Sequence, residues 1–269
     1  MMPAPGKLAL VGAGKMGAAL LGGWLSGGFS PRDIAVYEPH PGDFLLNLAA
    51  EQGFALNPPP APASVVVLAI KPQMLEAAAP ALAPLFGAHS LLISILAGKT
   101  IANLSARLPA ARIVRAMPNT PASIGRGITG AFAGERVTAA QRESAQRLLG
   151  GVGAVEWVAS EKLIDAVTAI SGSGPAYVFL LVEALARAGA DLGLPPDLAL
   201  RLARATVEGS GELLYRSPET PAEILRKNVT SPGGTTQAAL DVLMAEEVLH
   251  VLMARATAAA ARRAEELSG

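Results

Sequence analysis

The chain has 269 residues, half of them apolar, enough to bury a core in one large or two modest domains without staples. Its 22 basic and 22 acidic residues cancel and form no long charge run, which argues against a nucleic-acid partner or an acidic membrane surface. Cysteine is absent, which excludes disulfides, thiol nucleophiles and thiolate metal sites and is compatible with a reducing cytoplasm; no metal site is expected.

The N-terminal stretch carries Lys7 and a short apolar run, Leu8 to Val11, that ends in glycines. It lacks a secretory apolar region and cleavage site, so a cytoplasmic location is expected. Short β-branched runs then alternate with amphipathic segments: strand 7–11, helix 15–25, strand 34–38, helix 43–51 and strand 65–70. That is the syntax of a parallel sheet with helical crossovers. Val65 to Ile70 is apolar without alternation, as expected of a strand covered on both faces. Residues 77–98 contain no charge and raise the question of a membrane span, but Pro80, Pro84 and Gly87 divide them into a helix, a turn and a strand at 90–95. Further strands are predicted at 112–116, 128–133 and 154–158. The fold class is therefore α/β: a doubly wound, mostly parallel, Rossmann-like sheet over residues 1–159. An all-α C-terminal domain follows over 160–269. Ser160 is a plausible N-cap there, and Pro175 and Pro195 stand at helix starts. A last helix is expected over 236–267, with an apolar stripe at Leu240, Leu243, Val248, Val251 and Leu252 that calls for a second subunit.

The strongest motif is Gly12-Ala13-Gly14-Lys15-Met16-Gly17, a G-x-G-x-x-G run at the first strand-to-helix turn. Gly12 makes the turn, Gly14 admits a pyrophosphate, Gly17 lets helix pack on strand, and the helix N-terminus offers free N–H groups to phosphates. A bare glycine-rich turn is the bland alternative. Glu38, at the end of the second strand, can accept hydrogen bonds from the ribose hydroxyls of NAD and repel a 2′-phosphate, which leans toward NADH; a solvated strand-end glutamate is the alternative.

Four more segments carry a resemblance: Ala69-Ile70-Lys71-Pro72-Gln73, 115–121, Ser171 to Tyr177, and Val229 to Thr236 with its Ser-Pro-Gly-Gly-Thr-Thr run. In order and spacing they resemble the pyrroline-5-carboxylate reductases over about residues 7–260. The resemblance implies NADH- or NADPH-dependent reduction of 1-pyrroline-5-carboxylate to L-proline, the last step of proline biosynthesis. It implies that Asn57, Ile70, Lys71, Pro72, Gln73, Ile95, Leu96 and Ala97 line the dinucleotide and that Asn119 sits near its nicotinamide end. It also implies that Glu161, Asn228, Thr235 and Thr236 face the imino acid, and that the chain forms a homodimer whose dimers can assemble further. Taken alone, Lys71 reads equally as a surface charge and Pro72 as a helix start. Two departures from the family pattern stand out: Glu38, where many NADPH-using relatives carry a small polar or basic residue, and a slightly longer Ser217 to Pro221 segment.

The chemistry suits these residues. A protonated ring imine is already electrophilic, so reduction asks mainly for positioning and charge stabilisation, and His40, His89 and His250 all lie outside the motifs. Ser231, Gly233, Gly234 and Thr235 have the character of an anion cradle at a helix mouth, fitted to a carboxylate. Thr236 is the catalytic candidate, its hydroxyl bonding the ring nitrogen or relaying a proton, with Glu161 offsetting the iminium charge. Either threonine can instead be only the N-cap of the last helix. Ser171 to Pro175 reads as a close-packing segment rather than a second phosphate loop. A hydroxyisobutyrate-type dehydrogenase would need a basic catalyst on the first long helix, yet no lysine occurs between Lys162 and Lys227. A non-catalytic NAD(P)-binding regulator would have no use for the intact 231–236 loop, and NADH oxidation with and without the imino acid separates it from an enzyme.

Overall fold

The computed structural model describes residues 6–268. One sheet organises the first part of the chain, in strand order β3-β2-β1-β4-β5-β6-β7-β8. Its strands are β1 (Leu8–Val11), β2 (Ile34–Tyr37), β3 (Ala55–Leu56), β4 (Ala63–Leu68), β5 (Phe86–Ser94), β6 (Arg112–Met117), β7 (Gly127–Ala133) and β8 (Gly153–Trp157). All pairings are parallel except β6 with β7. The two-residue edge strand β3 is too short to leave a periodic signal and was not among the expected strands.

The apolar runs are explained by two cores, one on each face. From β1, Leu8 and Leu10 enter one core while Ala9 and Val11 enter the other; β4 divides Val65 and Val67 from Val66 and Leu68 in the same way. Side chains alternate along a strand, so a strand without polar positions must be covered twice. The first core is covered by α1 (Lys15–Ser26), α2 (Asp43–Gln52) and α5 (Ala139–Gly150), with Trp24 fully buried and its indole N–H donating to the Leu148 carbonyl at 2.8 Å. The second is covered by α3 (Leu75–Leu82) and α4 (Ile101–Ser105).

The remaining elements are helical: α6 (Leu163–Val167), a π-helical turn at Thr168–Gly172, α7 (Gly174–Asp191), α8 (Pro196–Arg216), α9 (Ala222–Asn228), α10 (Thr235–Met244) and α11 (Val248–Ser268). Ser160 is not the cap expected of it: α6 starts at Leu163 with Lys162 in the capping position. Nor is the last helix continuous. Ala245–Glu247 breaks it, with Glu246 and Glu247 at φ of +46° and +55°, a backbone region that only tertiary constraint stabilises in residues with a Cβ.

The chain divides into two compact units, residues 6–173 with 260–268, and residues 174–259. In the second unit α7 packs on α8, where a Cβ at Gly189 would come within 3.2 Å of the Ala199 methyl. Ala199 and Ala203 are its only buried residues, whereas Phe179, Leu180, Leu213, Leu214, Val242 and Leu252 stand exposed.

Candidate active site

The sheet order reverses between β1 and β4, and a crevice at the carboxyl end of the strands opens at such a reversal. Four turns meet there: 12–17 after β1, Glu38 after β2, 69–73 after β4 and 95–98 after β5. The three glycines have three separable reasons. Gly12, at φ +89°, lies against the turn after β4, where a Cβ would be 2.7 Å from the Ala69 carbonyl oxygen. A Cβ on Gly17 would run into the Gly12 carbonyl. A Cβ on Gly14 would meet nothing, because that face of the turn is open. Gly14 is also the N-cap of α1 with no side-chain cap, so the exposed Gly14 and Lys15 and half-buried Met16 surround N–H groups left for an anion.

Glu38 is fixed rather than solvated. Its Oε2 accepts from the Ala13 backbone N–H at 3.0 Å and its Oε1 from the His40 N–H at 3.2 Å. Asn57, at φ +49°, holds the Glu38 backbone by both ends of its amide: Oδ1 accepts from the Glu38 N–H and Nδ2 donates to the Glu38 carbonyl, each at 2.9 Å. Ile70 and Pro72 are half-buried and Lys71 and Gln73 exposed; Lys71 precedes a 3₁₀ turn started by Pro72. Beyond β5, Leu96 is buried beneath the half-buried Ile95 and Ala97.

Two expected site residues of the first unit are occupied by protein partners. Glu161 accepts from the Ile101 N–H at 2.7 Å and from Arg115 Nη1 at 3.0 Å through the same Oε1. Arg115 is buried in β6, with Asp165 Oδ1 4.0 Å from its other Nη. Burial raises the Asp165 carboxyl above its ordinary value; Arg115 and Lys162 oppose that shift, and Glu265 and Glu161 reinforce it. The reading of Glu161 had no partner for it, although an arginine between Val114 and Ala116 in an apolar strand demands a counter-charge and so signalled one. Asn119 uses its amide to donate to the Ser171 carbonyl at 3.1 Å and to accept from the Ile128 N–H at 2.9 Å. Ser171 and Gly172 belong to the π-helical turn, with Gly172 in contact distance of Met117, so this segment is packing and not an open phosphate loop.

In the second unit, Gly234 is the N-cap of α10, with no side-chain cap bond. Gly233 takes φ +70° with open space where its Cβ would be, and the Gly234 N–H donates to the Ser231 carbonyl at 3.0 Å. The loop folds on its own backbone, leaving Thr235 exposed and Thr236 half-buried at the first two helical positions. Neither threonine caps the helix. Asn228 ends α9, exposed, a few residues earlier.

An open glycine turn, a free helix N-terminus and an acidic residue after β2 at a sheet reversal define an NAD(P)-dependent oxidoreductase with a Rossmann-like domain. Residues 7–98 match the family model described as NADP oxidoreductase, coenzyme F420-dependent, and residues 161–267 match the pyrroline-5-carboxylate reductase dimerisation model. The pyrroline-5-carboxylate reductases of Pseudomonas aeruginosa and Synechocystis are 42% and 41% identical to it over 97% of this chain, and over 97% and 98% of their own lengths. A solved pyrroline-5-carboxylate reductase from Coxiella burnetii superimposes with a TM-score of 0.90 at 37% identity, over 98% of this chain and 99% of that one. The Plasmodium falciparum pyrroline carboxylate reductase with NADP bound gives 0.80 at 28% identity, over 98% of each chain. The chain belongs to the pyrroline-5-carboxylate reductase family.

Proposed function

We propose that the protein reduces 1-pyrroline-5-carboxylate to L-proline as a cytoplasmic homodimer, with NADH preferred over NADPH. The observation that carries the reading is the open face of Gly14 beside uncapped helix N–H groups, a cradle that a Cβ would fill and a pyrophosphate fits. A reduced nicotinamide held there would supply hydride to the imine carbon. Ile70, Lys71, Pro72, Gln73 and the 95–97 turn flank the dinucleotide, with Asn119 toward its nicotinamide end. Ser231, Gly233, Gly234 and Thr235 receive the substrate carboxylate, with Asn228 beside them. The Thr236 hydroxyl, free of capping duty, accepts from the N–H of the protonated ring imine and holds it in place, and hydride addition at carbon then gives the amine with no further proton needed. Glu161 acts from a fixed position, its charge shared with Arg115.

Two tests follow. Loss of dihydronicotinamide absorbance with pyrroline-5-carboxylate, compared with the six-membered imino acid and with each cofactor, measures the activity and ring size; no turnover with either imino acid refutes it. The NADH preference rests on the Glu38 carboxylate pinned over the glycine turn, where a 2′-phosphate would meet it. Glu38→Ser should improve kcat/KM for NADPH by about tenfold, the worth of relieving roughly 1.4 kcal/mol of repulsion. A wild type that strongly prefers NADPH overturns this part alone.

The same reading assigns the apolar surface of residues 174–259 to a second subunit. Residues Leu163–Asp191 are apolar and long enough to cross a membrane by length and composition. The π-helical turn inside that stretch and the family dimerisation region over it favour a protein partner.

A further inference from the structure

We infer that the last turn of α11 is a positioning element for the dinucleotide, acting through Gly98. The inference rests on the proposed lining of the cofactor by residues 95–97, and concerns what holds that turn in place.

The turn is fixed at both ends by named contacts. At its start the Ile95 N–H donates to the Leu68 carbonyl at 3.1 Å and Leu96 is buried. At its end Thr100 and Asn103 form a reciprocal cap on α4, and Glu161 takes the Ile101 N–H. Between them lies Gly98, at φ +68° and buried although it has no side chain. What covers it is Leu267: a Cβ on Gly98 would stand 2.7 Å from the Leu267 Cβ and 2.9 Å from its carbonyl carbon. Such approach is possible only for glycine, so the path of the turn and the seat of the helix end are fitted to each other.

Two further observations show that this end of α11 is docked. Ala264 is the one buried residue among the described side chains of a helix otherwise on the surface. Glu265, one turn before Ser268, is close enough to Asp165 of α6 to act on its carboxyl. Residues 260–268 accordingly belong to the same compact unit as the sheet, while the rest of α11 does not. Ala97 and Gly98 leave β5 at the carboxyl edge of the sheet, so a displacement of Gly98 moves backbone that faces the crevice. Leu267 therefore does not touch the dinucleotide in this scheme; it sets the turn that does.

The test is a cycle of full-length chain, a chain ending at Glu266, Gly98→Ala, and both changes together, with dinucleotide Kd, imino-acid KM and melting temperature measured for each. Each single change should weaken dinucleotide binding by about fivefold with the imino-acid KM unmoved, and the double should be no weaker than the worse single, because both break one contact. The chain ending at Glu266 removes every Leu267 atom that approaches Gly98, so the expectation stands even where Gly98→Ala does not fold; Leu267→Ala, which keeps the Cβ and backbone that approach Gly98, should bind close to wild type. Unchanged Kd in the chain ending at Glu266, or two effects that multiply, overturns the inference. Ala97→Glu places a charge on the turn itself: if that variant also binds normally, the proposed lining by 95–97 fails, and the inference fails with it. If Ala97→Glu binds poorly while the truncation binds normally, only the role of α11 is lost.

Discussion

The sheet unit and the helical unit are built by opposite rules. In the sheet unit the central strands β1 and β4 are covered on both faces, Trp24 and many leucines and isoleucines approach zero exposure, and the core closes within one chain. In the helical unit two alanines are buried while Phe179 and Leu180 are each more than 60% exposed. Exposed patches of that kind mark an interface, since a soluble chain gains about 25 cal/mol for each Å² of apolar surface it covers. Residues 174–259 thus carry an incomplete core, which the proposed second subunit would complete, and this is the largest difference between the two halves.

The strongest way to break this comparison is to charge the exposed face of the helical unit. Phe179→Glu with Leu180→Glu should dissociate the dimer, because an unpaired carboxylate buried at an interface costs several kcal/mol, on the order of 3–5. The sheet unit should still bind dinucleotide. Light scattering with dinucleotide titration checks both; a dimer of wild-type affinity would mean that α7 faces solvent in the assembly. The converse change is Gly14→Val. A Cβ there meets no protein atom, so the melting temperature should hold, while dinucleotide affinity falls by about a hundredfold or more as the branched group fills the pyrophosphate cradle. Unchanged affinity in a folded variant would remove this turn from the site.

Legibility in the sequence followed the same division. The parallel sheet could be read because Val65 to Ile70 and its sister runs are dictated by burial on both faces, and the glycine motif because Gly12 and Gly17 answer steric demands while Gly14 leaves one face of the turn open. Position 38 was readable as a strand-end acid, but its clasp by Asn57 was not, since two residues with no periodic relation meet only once β2 and β3 pair. The break at Ala245–Glu247 was invisible for a related reason: Ala, Glu and Glu are good helix formers, and tertiary constraint overrides them. The helix mouth at 234–236 lay between. Gly-Gly-Thr-Thr announces a cap, yet the cap is Gly234, so the hydroxyls expected to compete for that duty are released from it.

That release sharpens the smaller prediction for Thr236. Thr236→Ala should lower kcat/KM by about ten- to a hundredfold, equivalent to one charge-assisted hydrogen bond of roughly 1.5–3 kcal/mol, with dinucleotide affinity untouched. Because Gly234 supplies the cap, the melting temperature should move by less than the ~1 kcal/mol that losing a threonine cap costs. Normal turnover with a lowered melting point would return Thr236 to a structural role and shift the catalytic assignment to Thr235 and Asn228.

The smallest expected effect belongs to the ionic cluster under the sheet edge, and it tests whether the closed core of the first unit tolerates its charges or depends on them. Burial holds the Asp165 carboxyl above its ordinary value of 3.8, and Glu265 and Glu161 add to that shift against Arg115 and Lys162. With the folded value above the unfolded one, the fold binds more protons than the unfolded chain in the interval between them. Asp165 therefore costs stability as pH rises through that interval, and the cost is complete above the folded value. Asp165→Asn should remove the cost: the melting temperature near neutral pH should rise by about 2 °C, and its decline with rising pH across the weakly acidic range should flatten. Thermal melts of both proteins from mildly acidic to neutral buffer measure this. A variant that melts lower at neutral pH would show instead that attraction to Arg115, 4.0 Å away, outweighs burial, so that the cluster stabilises this edge of the sheet rather than being tolerated by it.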